Sequence, residues 1–188
     1  MFNSEHCERL VGLVFAALYI MPFKVQGQLV ISEFLAINDS TLVDEDGDWS
    51  DWVEIHNTGP DLVNLEGYFL TDTQGKLDRW EFPGLRIEGG EHLIVFASNK
   101  DRRPDDGRPL HTNFKLGGSG EYLALVATDG ETIVHQFVPT FPKQFADTSF
   151  GILNGEQGWL KPPTPGRDNT FFRQSLGPII SRVVHHPD

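Results

Sequence analysis

Turn-forming residues close every apolar run between Leu29 and Leu153, and none of those runs keeps a helical period. A chain of this kind folds as short strands joined by tight turns. The expected strands cover residues 29–37, 52–56, 63–70, 79–82, 85–87, 92–97, 113–116, 122–127, 132–138 and 149–153. Asn57-Thr58-Gly59-Pro60, Pro83-Gly84 and Gly89-Gly90 separate some of them, and Asp129-Gly130 is a strong hairpin signal. Gly67 interrupts its run and suggests a bend. The 14 Phe, 4 Trp and 3 Tyr are too many for a chain that never packs. The fold class expected is all-β, a sandwich.

Residues 10–23 (LVGLVFAALYIMPF) carry no charge and fall short of the roughly 20 residues of a membrane-spanning helix. They read as the apolar region of a secretory signal peptide, cleaved after Val25-Gln26-Gly27. Cleavage removes Cys7, the single cysteine, so the mature chain has neither a disulfide nor a thiolate site. The domain plan is a signal peptide at 1–27, a sandwich at 28–153, a Pro/Gly-rich linker at 154–176 and the start of a further, truncated module at 177–188. The expected location is secreted or cell-surface, with no integral membrane insertion once the leader is gone. A net charge of -12 opposes nucleic acid as a partner, because phosphate binding relies on Lys and Arg.

The order of several segments resembles the lamin tail domain family, in its secreted bacterial form. The likeness rests on LVISEFLAIND (29–39), SDWVEIHNTG (50–59), VNLEGYFLTD (63–72) and RWEFP (79–83). It continues through GEHLIVFAS (90–98), LHTNFKLGGSGEYLAL (110–125), DTSFG (147–151) and PTPGRDN (163–169). The resemblance implies an immunoglobulin-like β-sandwich that binds and scaffolds but does not catalyse. Within DWVEIHN, alternation puts Val53 and Ile55 toward the core, and Trp52, Glu54 and His56 outward or into a loop-covered groove.

The densest chemistry lies in Asp44-Glu45-Asp46-Gly47-Asp48-Trp49-Ser50-Asp51. Alternate aspartates suit a hard cation: Asp44, Asp46 and Asp48, with Asp51 or Glu54 closing the set, form a candidate Ca²⁺ site. Gly47 stands at the fourth loop position and Ile55 at the twelfth, which excludes an EF-hand. The competing reading is a solvated acidic loop. The histidines His56, His92, His111, His135 and His185-His186 are scattered, and their spacing offers no zinc motif. No Gly-x-Ser-x-Gly is present. Trp49 and Trp159, near the loop and the linker, are candidates for stacking on a ligand ring. The function expected is a non-catalytic extracellular accessory domain that binds a protein, a surface glycan or a neighbouring domain. The alternative is a carbohydrate-binding module that serves an extracellular enzyme.

Overall fold

The computed structural model describes residues 29–173 and places them in strands and turns, with no helix among them. The strands are β1 (Leu29–Leu35), β2 (Asp51–Asn57), β3 (Val63–Asn64), β4 (Phe69–Thr71), β5 (Trp80–Glu81) and β6 (Arg86–Ile87). They continue with β7 (His92–Ala97), β8 (Leu110–His111), β9 (Leu123–Val126), β10 (Ile133–Phe137), β11 (Ser149–Leu153) and β12 (Glu156–Leu160). A six-stranded sheet runs β12-β11-β1-β2-β7-β8, a four-stranded sheet runs β10-β9-β4-β5, and β3 pairs β6. Only β7 and β8 pair in parallel; the other pairs are antiparallel. This is the β-sandwich that the strand pattern predicts, and it agrees with the immunoglobulin-like form that the resemblance implies.

The core lies between the two larger sheets. Leu29, Ile31, Phe34, Val53, Ile55 and Val95 from the large sheet meet Leu70, Trp80, Leu123, Leu125 and Phe137 from the small one. Phe34 sits at its centre, with its ring centroid 5.1 Å from Phe137, 4.6 Å from Phe141 and 5.8 Å from Phe150. Aromatic rings in such tilted and edge-on arrangements add packing energy beyond their buried area.

A β-bulge in β1 decides what lies on the opposite face of the large sheet. The β1–β2 register shifts between Ile31 and Glu33. Before the shift, Leu29 and Ile31 face the core; after it, Phe34 does. The bulge therefore turns Glu33 and Leu35 to the outer face, where unbroken alternation would have put them inside. There Leu35, Trp52 and Phe96 form a second small apolar cluster under Leu42. Beside it Glu33 and Glu54 stand directly opposite one another, and His56 stands opposite His92.

The structure corrects three strand expectations. The run at 63–70 divides into β3 and β4, because Gly67 adopts a φ of +78°. The strand expected at 113–116 lies instead at Leu110–His111, beside β7. The segment read as a linker from 154 belongs to the fold: Asn154 (φ 54°) and Gly155 (φ 82°) form a tight turn into β12. From there residues 161–169 run as a strap over the outer face of β1 and β2. Asn169 donates from Nδ2 to the carbonyls of Ser32 and Ile152, at 3.0 and 2.8 Å. Gly151 permits this close packing, since a Cβ there would stand 2.5 Å from the Ser32 carbonyl oxygen and 3.0 Å from Asn169 Nδ2. The leader at 1–27 and the module start at 177–188 lie outside the described residues.

Thr164 in the strap tests the correction. Its amide and hydroxyl both bond to buried Glu33. Thr164→Val keeps the shape and removes the hydroxyl, so urea denaturation is expected to show a loss of about 1.5–3 kcal/mol. A residue in a mobile linker would show no loss.

Candidate functional site

The outer face of the large sheet holds two carboxylates, both fully buried. Glu33 accepts from Thr164 N at 2.9 Å, from Thr164 Oγ1 at 2.7 Å and from Ser149 Oγ. Burial raises the Glu33 pKa above its ordinary value and the charge of Glu54 adds to this, while the bonds from Ser149 and Thr164 oppose it. Glu54 accepts from Ser32 Oγ at 2.6 Å and Gly166 N at 2.7 Å, and its Oε1 lies 2.9 Å from His92 Nδ1. Donors from β1, β7, β11 and the strap thus converge on the pair. The strap closes it from solvent, so neither carboxylate reaches an open cleft.

His92 continues this network outward. Its Nε2 lies 3.3 Å from Asp168 Oδ1 on the strap, and the ring of His56 stacks on it with centroids 3.9 Å apart. Burial, and then the neighbouring His92, hold the His56 pKa below its ordinary value. A cleft of about 290 Å³ opens here, lined by Ser32, His56, His92, Asn154, Asp168 and Asn169 among others.

A second polar centre occupies the loop end of the sheet. Asp44, Asp46 and Asp48 do converge, as the alternate aspartates predict. The position between them is taken by the Lys100 ammonium, at 2.7, 2.7 and 2.9 Å from the three carboxylates. The acidic loop thus holds a cation of the chain itself among its carboxylates. Asp51 and Glu54 do not join it: Asp51 accepts from the backbone amides of Leu116 and Asn38, and Glu54 belongs to the buried pair. Burial opposes ionisation of Asp44, but bonds from Lys100, Ser50 and the amides of Asp48 and Asp46 outweigh it and hold its carboxyl at about 2. Burial likewise opposes the charge on Lys100, yet the three aspartates raise its pKa above the ordinary lysine value. Glu45 extends the network to Arg102, at 2.9 Å, and to buried His111, whose other ring nitrogen meets Ser98 Oγ at 2.8 Å.

The two tryptophans differ. Trp49 is 47% exposed beside a cleft of about 390 Å³ that Asp48, Ser50, Asp51, Lys100 and Lys115 help to line. Trp159 is half-buried against Phe150, with centroids 5.3 Å apart, and donates to the Lys143 carbonyl. Trp52 and Trp80 are fully buried. A single indole, not a coplanar pair, therefore remains for stacking. Sequence reasoning missed Glu33, Lys100, Thr164 and Asp168, and it read His111 as one of several scattered histidines. Only β12 had a local signal, the Asn154-Gly155 dipeptide.

Two outcomes test these charges. Lys100→Ala leaves buried Asp44 without its cation, so denaturant unfolding is expected to show a loss of about 1–3 kcal/mol. Added CaCl₂ should raise the midpoint of that variant more than that of the wild type. Asp51 gives the pH test, since burial pushes its carboxyl up to about 7 against the two backbone bonds. The folded state then holds a proton that the unfolded state has released, so stability falls as pH rises from about 4 to about 7. The melting temperature is expected to be lower at pH 8 than at pH 5, and Asp51→Asn should flatten that slope.

No curated protein matches the chain. The family model described as Lamin Tail Domain matches residues 23–140, a span that takes in β1 to β10 and stops before β11, β12 and the strap. That span is well over half of the chain and holds strands of all three sheets, and so the protein belongs to the lamin tail domain family, an immunoglobulin-like interaction fold.

Proposed function

We propose that this protein is a non-catalytic extracellular interaction domain, engaging a protein, a surface glycan or a neighbouring domain. The observation that carries the reading is the internal satisfaction of its carboxylates. Glu33 and Glu54 are buried under the strap and saturated with donors. Asp44, Asp46 and Asp48 surround Lys100. General acid–base work needs two groups in distinct environments that both reach the substrate, and neither set offers that. The apolar run at 10–23 supports export.

The loop end is the face best suited to a partner. There the Trp49 cleft adjoins a second one, of about 540 Å³, lined by Glu45, Asp46, Arg102, Arg103 and Arg108. Mixed charge around an exposed indole fits a polar partner with one flat apolar face. That same indole favours a second reading, a carbohydrate-binding module, because a sugar ring stacks on tryptophan while Asp48, Ser50, Asp51 and Lys115 reach its hydroxyls.

One set of assays separates the readings. Chromogenic esters, phosphates and glycosides are expected to show no turnover. Saturable turnover that disappears in Glu54→Gln would refute the non-catalytic assignment. Affinity electrophoresis in soluble polysaccharides tests the glycan reading: retardation that Trp49→Ala weakens by roughly tenfold selects it over a protein partner.

A further inference from the structure

We propose that His56, His92 and Asp168 form a binding site for a divalent transition metal, with Zn²⁺ the best match to the donor set. The three come from β2, β7 and the strap, and one ligand atom from each lies within 4.8 Å of the others. His56 and His92 are directly opposed in the β2–β7 register, so both rings leave the same face of the sheet. Asp168 reaches that face from above, with its Oδ1 3.3 Å from His92 Nε2. Two imidazole nitrogens and one carboxylate oxygen suit Zn²⁺, and less well Ca²⁺ or Mg²⁺, which prefer all-oxygen shells.

The surroundings of His92 supply the second line of argument. Its Nδ1 lies 2.9 Å from Glu54 Oε1, and Glu54 is itself fixed by Ser32 and Gly166. A carboxylate behind the ring sets the tautomer with the proton on Nδ1 and turns the Nε2 lone pair outward. Nε2 lies 3.3 Å from Asp168 Oδ1, so the two can share one cation, and His56 completes a third position. Glu54 is then the positioning residue behind a ligand, which gives this buried carboxylate a role beyond packing.

Ligands on one tetrahedral zinc stand about 3.3 Å apart, given bonds of 2.0–2.1 Å. The trio closes to that distance by small rotations. The Asp168 side chain is 86% exposed, and its contact with His92 leaves it room to turn. His56 is half-buried and rotates from its stacked position. The fourth coordination position opens into the 290 Å³ cleft, where water or a partner's side chain can enter. The metal would fasten the strap to β2 and β7, and the site stands apart from the loop-end face proposed for partners.

The test uses the purified full chain after treatment with EDTA. Titration with CoCl₂ is expected to bring up the visible d–d bands of a tetrahedral centre at one equivalent, and ZnCl₂ to abolish them. ZnCl₂ should also raise the melting temperature, since the site exists only in the folded state. Asp168→Asn only exchanges an exposed carboxylate for an amide of the same shape, so it leaves the fold intact and is expected to cost at least about tenfold in affinity. His56→Gln should do the same. The paired variant Asp44→Asn/Asp46→Asn should keep the bands. Absence of the bands in wild-type protein, or bands unchanged in Asp168→Asn and His56→Gln, would overturn the proposal.

Discussion

The cost of burying two carboxylates side by side governs the outer half of this molecule. Glu33 and Glu54 face each other across β1 and β2 with no solvent contact. An unpaired ion in that position costs several kcal/mol, so the fold must bring donors to it or expel it. It brings them from four elements: serine hydroxyls from β1 and β11, a histidine from β7, and two amides and a hydroxyl from the strap. The β-bulge belongs to the same solution, because it both turns Glu33 to this face and leaves Ser32 placed to bond Glu54 and to accept from Asn169. Residues 161–169, rich in Pro and Gly, serve as the lid that these acids require.

A parallel argument explains the loop end. A chain with a net charge of -12 must either spread its acids or give each cluster a cation. Lys100 does the latter for Asp44, Asp46 and Asp48, and Arg102 does so for Glu45 and Asp46. The bases come from the loop after β7, more than fifty residues downstream of the acids, and both loops leave the same end of the sheet. Charge within the exposed networks is screened and adds little stability; the contact with buried Asp44 is the one that matters.

What could be read from the sequence followed how local the cause was. The strands at 92–97 and 149–153 were legible to the residue; Gly89-Gly90 precedes the first, and the apolar run that follows His92 is unbroken. So was the hairpin at Asp129-Gly130, where Gly130 takes a φ of 71° and Asp129 accepts from the amides of Glu131 and Thr132. The convergence of Asp44, Asp46 and Asp48 followed from their spacing. The ammonium among them did not, since nothing near Lys100 points back to residue 44. The outward turn of Glu33 depends on a bulge that alternation alone does not reveal. Three proline signals between 162 and 165 outweighed Asn154-Gly155, although that pair flanked by GIL and EQGWL carries the same hairpin signal as Asp129-Gly130.

The histidine trio marks the limit of sequence reasoning, because its members come from three segments that only the assembled fold brings together. The same assembly makes the folding unit larger than the family match. β1 lies between β2 and β11, so a chain ended at 140 would leave β1 as an edge strand, with Glu33 deprived of Ser149 and Thr164. An edge strand with open backbone groups is a site for unwanted pairing, and an uncapped carboxylate beside Glu54 adds repulsion to that hazard. β11, β12 and the strap relieve both problems at once. They are therefore part of what makes this lamin tail domain stable, and β1 cannot complete its pairing until residues more than a hundred positions downstream have been made. Long-range closure of this kind is slow relative to a local hairpin such as β9–β10.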